Sequence, residues 1–218
     1  TASRGALPLR TSAAGKSVVN NNDLDLVYDR SNQTVGMRWT ALAIPRHAII
    51  GAAYIQFTAK DSRSEVTSLT IRAQAADNPA TFTTANGDVS TRPRTAASAS
   101  WTPAAWARNQ AGPDQRTPDL SAVIEEIVSR PGWASGNALA LIVTGTGRRT
   151  AWGYDGNAAA APLLHVEYTP NFPPVARISV NQLASPALTV TADATATPDT
   201  APAPVASYRF DFGDGSPP

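Results

Sequence analysis

One segment with a helical period lies in a chain otherwise patterned as strands. In "RTPDLSAVIEEIVSRPGW", Leu120, Val123, Ile124, Ile127 and Val128 recur at i, i+3, i+4, i+7 and i+8, the spacing that lines one face of an α-helix. This predicts a helix over about 119–130. Thr117 is placed to cap it, with Pro118 at the first helical position, where a missing N–H costs nothing. Arg130-Pro131-Gly132 ends it, because a residue before proline is pushed out of the α region. Ala138 to Val143 then forms an unbroken apolar run, the length of a strand buried on both faces. A lone helix among strands predicts an all-β fold, an antiparallel β-sandwich with one crossover α-helix.

The strand signals are alternations. "KSVVN" and "LDLVYD" are separated by the turn-forming run Asn20 to Asp23, and in "QTVGMRW" Val35, Met37 and Trp39 take alternate positions. Ile55, Phe57 and Ala59 should face one way, and Tyr54, Gln56 and Thr58 the other. Leu69, Ile71, Ala73 and Ala75 repeat the pattern against Thr70, Arg72 and Gln74. Such half-polar strands belong to antiparallel sheets with one wet face. A further short strand is expected near Ser98 to Trp101, within a long irregular connection.

Composition limits the partners. Eighteen basic residues nearly balance 17 acidic ones, so no net field draws the chain to nucleic acid or an anionic membrane. No stretch approaches the ~20 apolar residues of a membrane span, which excludes insertion by a helix. There is no cysteine, hence no disulfide and no thiolate nucleophile or metal ligand. The charged fraction is 16%, and Ala, Thr, Ser, Asn, Gly and Pro are abundant. That balance fits secreted β-modules better than a cytosolic α/β enzyme. The chain starts at Thr1, which suggests processing or excision from a longer protein. Its 218 residues suit one large domain, or one domain and a piece of another. A proline-rich break, "TPNFPPVARISV", places the boundary near Asn171, giving domains 1–170 and 171–218.

Two resemblances follow from these pieces. "VGMRWTALAIPRHAIIGAAYIQFTA", with Ile44-Pro45, Ala48-Ile49-Ile50 and Ala53-Tyr54-Ile55 in register, resembles the DNRLRE or disaggregatase-related domain. "DLSAVIEEIVSRPGW", "NALALIVTG" and "APLLHVEY" resemble that family's second half, so the likeness covers roughly residues 16–168. The letters that name the family are not present. The resemblance implies a jelly roll similar to carbohydrate-binding modules, attached without catalytic role to exported bacterial proteins. From Pro173 onward, "PPVARISV", "LTVTADATATPDT" and "YRFDFGDGS" resemble the first half of a polycystic-kidney-disease (PKD) domain, with Phe210 where that family usually has tryptophan. This implies a partial Ig-like sandwich that acts as a spacer or interaction module.

Catalytic groups are sparse. Glu125 and Glu126 are adjacent, about 100° apart around a helix, and cannot converge as an acid–base pair; a solvated helix face accounts for them. His165 beside Glu167 reads as a strand's polar surface, and His47 as a loop residue. "GTGRR" at Gly145 to Arg149 reads as a turn and not as a phosphate loop. The expectation is therefore no enzyme.

Binding groups are better supplied. Sugar rings present C–H faces to aromatic planes and hydroxyls to planar hydrogen-bonding groups. Trp152, Tyr154, Asp155, Arg149 and Asn157, with Arg148, offer that mixture in "RRTAWGYDGN". A strand would set Trp152 and Tyr154 on one face, either inward as core or outward as a sugar platform. Trp101 and Trp106 flank Pro103 in the long connection, where core placement is less natural; Trp39 reads as core, and Trp133 as packed against the helix end. A structural calcium would take carboxylates, with Asp23, Asp25 and Asp29, or Asp61 and Glu65, as candidates and Asp211 and Asp214 behind them. The expected role is a polysaccharide-binding module of a secreted or cell-surface protein, alongside that protein's other domains. The alternative is a structural or adhesive module without a sugar site.

Overall fold

The computed structural model describes the backbone at 2–4, 7–12 and 17–19, residues 22–171 throughout, and 176–182, 190–197 and 207–211. The chain divides into two compact units, Thr1–Thr169 and Pro170–Pro218. The strands of the first are β1 (Ala2–Arg4), β2 (Leu7–Ser12), β3 (Ser17–Val19), β4 (Asp23–Leu26), β5 (Tyr28–Asp29) and β6 (Ser31–Trp39). There follow β7 (Ile49–Gln56), β8 (Ser68–Ala73), β9 (Ala99–Trp101), the helix α1 (Ser121–Val128), β10 (Leu139–Thr146), β11 (Arg149–Trp152) and β12 (Leu163–Thr169). All named strand pairs are antiparallel.

The larger sheet runs β3-β2-β6-β10-β8-β9, with β5 also on β6, and a smaller one runs β1-β12-β7. A two-stranded ribbon, β11-β4, completes the unit. Alternation aligns the inner rows: Val143 lies opposite Val35 and Ile71, and Leu141 opposite Met37 and Ala73. Ala53, Ile55, Leu164 and Val166 of the smaller sheet and Leu24, Leu26 and Ala151 of the ribbon join them in one buried cluster. The result is an all-β sandwich with one α-helix among the described residues, as the periodicity predicts. Ala75, expected inward, lies past the end of β8 and is half-buried. None of the described helices is long and apolar enough to cross a membrane.

The helix is shorter than its sequence signal, and the proposed capping residue is used elsewhere. The Thr117 hydroxyl accepts from the Ile55 amide at 3.0 Å, so it ties the approach segment to β7 and caps nothing. Asp119 Oδ1 accepts from the amide of Ser121 at 3.3 Å, its hydroxyl at 2.7 Å and the Ala53 amide at 3.0 Å. Val123, Ile124, Ile127 and Val128 are buried, and the Trp133 indole, just past the helix, donates to the Ile44 carbonyl at 2.9 Å. Glu126 is not simply solvated: its two oxygens accept the amides of Ala96 and Ala97 at 3.0 and 2.7 Å.

Strand β10 is covered on both faces because the irregular connection before β9 folds over the large sheet. Phe82 and Val89 from that connection cluster with Ala140 and Ile142. A Cβ at Gly36, opposite Ile142, would come within 2.7 Å of the Phe82 ring, so the close seat depends on glycine there. The Arg92 guanidinium lies 4.3 Å from the centre of Phe82. It also donates to Asp88 at 3.0 Å, to Gln74 at 2.8 Å and to the Ala80 carbonyl at 2.8 Å.

In the second unit, β13 (Ser179–Gln182) pairs with β14 (Val190–Asp193), Ser179 opposite Asp193 and Gln182 opposite Val190. Asp214 and the turn containing it lie outside the described residues.

Two outcomes test this account. Phe82→Ala uncovers Ala140 and Ile142 and should destabilise the fold by about 3 kcal/mol, read as a lower denaturant midpoint with unchanged slope. For Asp119, burial pushes its carboxyl up, but hydrogen bonds from Ser121, Ala53 and Leu120 outweigh it and hold it below the ordinary value of 3.8. A depressed carboxyl contributes stability that is present above the unfolded value and lost as pH falls through the folded one. Asp119→Asn should therefore lower stability at neutral pH and reduce the loss on acidification below pH 4, measured by urea melts across that range.

Candidate functional site

The ribbon of β4 and β11 sorts its side chains by strand alternation. Arg149 and Ala151 turn inward, and Arg148, Thr150 and Trp152 take the opposite side, where Arg148 and Trp152 are partly exposed and Thr150 is fully buried, with Asp25 opposite Thr150 and Asp23 opposite Trp152. The segment after β7 closes the other side of β11: Trp152 N donates to the Thr58 carbonyl at 3.0 Å and Lys60 N to the Thr150 carbonyl at 2.8 Å. Lys60 and Arg63 are thereby delivered beside the outward row of β11.

The inward arginine is structural. Arg149 is 2% exposed, and its N–H groups reach the carbonyls of Ala104 at 2.8 Å, Pro103 at 2.9 Å, Glu65 at 2.8 Å and Arg148 at 2.6 Å, and the Thr67 hydroxyl at 2.8 Å. Burial lowers its pKa from the ordinary guanidinium value, and Glu65 acts against that. The expectation that Arg149 contacts a ligand is therefore corrected, since its donors are spent on four backbone carbonyls and the Thr67 hydroxyl away from solvent.

Trp152 stands differently. Trp39, Trp101, Trp106 and Trp133 are all buried, whereas Trp152 is partly exposed at the end of β11. The Lys60 ammonium lies 5.3 Å from the centre of its ring and 3.2 Å from Asp23 Oδ2. Tyr154 does not share a strand face with it, because the strand stops at Trp152 and Tyr154 occupies the following turn, 40% exposed. That turn is fixed by Gly153 N donating to the Asn22 carbonyl at 3.1 Å and Asn157 N to the Gly153 carbonyl at 3.0 Å. Asp155 is exposed in the turn. The Asn157 side chain accepts from the amides of Ala159 and Ala160 at 3.1 and 3.3 Å, so its oxygen serves a short 3₁₀ turn.

The expected calcium carboxylates are dispersed along this face and not gathered. Asp25, 2% exposed, accepts from Arg148 at 3.1 Å and from the Thr150 hydroxyl at 2.8 Å. Asp61 pairs with Arg63 at 3.4 Å, and Asp23 pairs with Lys60. Glu65 is exposed on the segment beyond Arg63. Among the described residues, no three histidine or acidic side chains are grouped as metal ligands.

Trp101 and Trp106, expected to lie less easily in the core, are core residues. Their ring centres lie 5.8 and 6.0 Å from that of Phe57 and 6.1 Å from each other, and the Trp106 indole donates to the Asp114 carbonyl at 3.0 Å. On the smaller sheet's outer face, His165 stacks on Tyr54 at 4.7 Å and bonds Glu167 at 2.9 Å, the surface role its position suggests. Lys60 was missed in the sequence because nothing local links residues 58–63 to β11; only the fold makes them neighbours.

No protein-family model matches the chain, and no curated protein matches it. Arg149→Met should strip the donors from the Ala104, Pro103 and Glu65 carbonyls and cost on the order of 3 kcal/mol, read by chemical denaturation.

Proposed function

We propose that this chain is a non-catalytic polysaccharide-binding module of an exported bacterial protein, secreted or held at the cell surface. The observation that carries the reading is Trp152, the tryptophan left partly exposed while four others are buried, with Lys60, Asp23, Tyr154 and Asp155 around it. An indole face is large and rigid, so stacking on it immobilises few torsions. A neighbouring ammonium, carboxylate and phenol can then exchange hydrogen bonds with ring hydroxyls. The resemblance to DNRLRE modules points the same way, and the PKD-like second unit suits a spacer to further domains of the same protein.

A hydrolytic role fits the face poorly. The carboxylates of Asp23, Asp25 and Asp61 are each engaged by a cationic side chain, an ion-paired arrangement and not a matched pair of acid and base. A structural calcium remains part of the proposal only as a condition to vary.

The test is retention of the 218-residue chain on insoluble cellulose, chitin, xylan, mannan and alginate, with calcium and with chelator. Retention on one glycan is expected, with Trp152→Ala weakening it at least tenfold and Trp152→Phe retaining part of it. Retention on none would favour the adhesive or spacer role, and equal retention by Trp152→Ala would remove the site from this face.

A further inference from the structure

The outward face of the ribbon does not end at Trp152. At its opposite end lies a cavity of about 380 Å³ lined by Tyr28, Asn32, Glu65, Gly147 and Arg148. Tyr28 is 41% exposed, and it is paired opposite Asn32 in the tight hairpin between β5 and β6. The cavity thus combines an aromatic ring with an amide, a carboxylate and a guanidinium, the mixture that orients a polyhydroxylated ligand in a concave site. None of these residues has a part in the Trp152 cluster.

The fold fixes both the shape of this cavity and its alignment with Trp152. Gly147 has φ +84°, and a Cβ there would meet the Val66 carbonyl at 2.3 Å, so only glycine lets the 65–67 segment close on the turn before β11. Val27 N donates to the Gly147 carbonyl at 3.4 Å, which brings the Tyr28 hairpin to the same place. Arg148, on the cavity wall, lies on the same side of the strand as Trp152, and its guanidinium bonds Asp25, which is buried with Thr150 midway between them. Trp152 lies four positions along the chain from Arg148, about 13 Å at strand rise, longer than any single sugar ring. Between them lie planar and charged side chains: Arg63, which donates to the Thr150 hydroxyl at 3.2 Å, and Lys60.

We infer that the Tyr28 cavity is a second sugar subsite, so that the ribbon binds a polysaccharide lengthwise, across several consecutive rings from Trp152 to Tyr28. This rests on the sugar-binding reading above and adds to it the length of chain recognised. The cations along the path are paired with carboxylates, so hydroxyl hydrogen bonding and stacking, and not a net charge, set the affinity.

The experiment is calorimetric titration of the whole chain with linear oligosaccharide ladders of glucan, xylan, mannan and chitin, from monosaccharide to hexasaccharide. Affinity for the ladder that binds should rise with length until both ends of the ribbon are reached. Tyr28→Ala should lower affinity for the long members about tenfold and leave the short ones unchanged, while Trp152→Ala weakens all of them. Glu65→Ala, an exposed position, reports on the same cavity if Tyr28→Ala is poorly folded. Affinity independent of length, or long-ladder affinity unchanged in both cavity variants while Trp152→Ala abolishes it, would overturn the second subsite and leave the sugar reading standing. Failure of every ladder to bind the unmodified chain would overturn both.

Discussion

The buried guanidinium of Arg149 is the contact on which the site and much of the adjoining core depend. A charged group is costly to remove from water unless its donors are all met. Here five oxygens receive them, four of them backbone carbonyls from three separate stretches of chain. Charge-assisted bonds to carbonyls are stronger than neutral ones, so this one side chain fastens irregular segments that no sheet ladder reaches. The segment at Pro103 and Ala104 is thereby anchored, and on either side of it Trp101 and Trp106 are set against Phe57. The segment at Glu65 and Thr67 is held against the turn that precedes β11.

The same anchoring orients the outward face. Once Arg149 and Ala151 are committed inward, the pleat turns Arg148, Thr150 and Trp152 to the opposite side, where Thr150 is buried and Arg148 and Trp152 stay partly exposed. Each then finds a partner from another strand or segment: Asp25 for Arg148 and Thr150, Lys60 for Trp152. Side chains held by such bonds lose little further freedom on contact with a ligand, which is how the face would be preorganised for the binding role proposed for it. The interior arginine and the exposed tryptophan are thus two consequences of one register.

Much of the scaffold was legible in the chain because it is periodic. Val35, Met37 and Trp39, Ile55, Phe57 and Ala59, and Leu69, Ile71 and Ala73 all fall inward as their alternation predicts, and Leu120 to Val128 pack through one helix face. The run Ala138 to Val143 was readable as doubly buried, although the residue that covers its second face, Phe82, lies in a stretch with no period. Of the site, the sequence marked Trp152, Tyr154 and Asp155. It could not mark Lys60, because a lysine after a strand is ordinary until residues 58–60 are seen bonded to β11.

Local chemistry by itself determined which segments become strands and which becomes the helix, since that choice follows from the spacing of apolar side chains along a few residues. Tertiary structure alone decided that Arg149 is buried, that Trp101 and Trp106 belong to the core, and that Thr117 serves β7 and not the helix. In each case the deciding partner, a carbonyl, an aromatic ring or an amide, lies more than 40 residues away in sequence. A polar group or indole in an irregular segment carries no period to say which way it faces, so its direction is set by whichever distant group satisfies its hydrogen bonds or covers its surface.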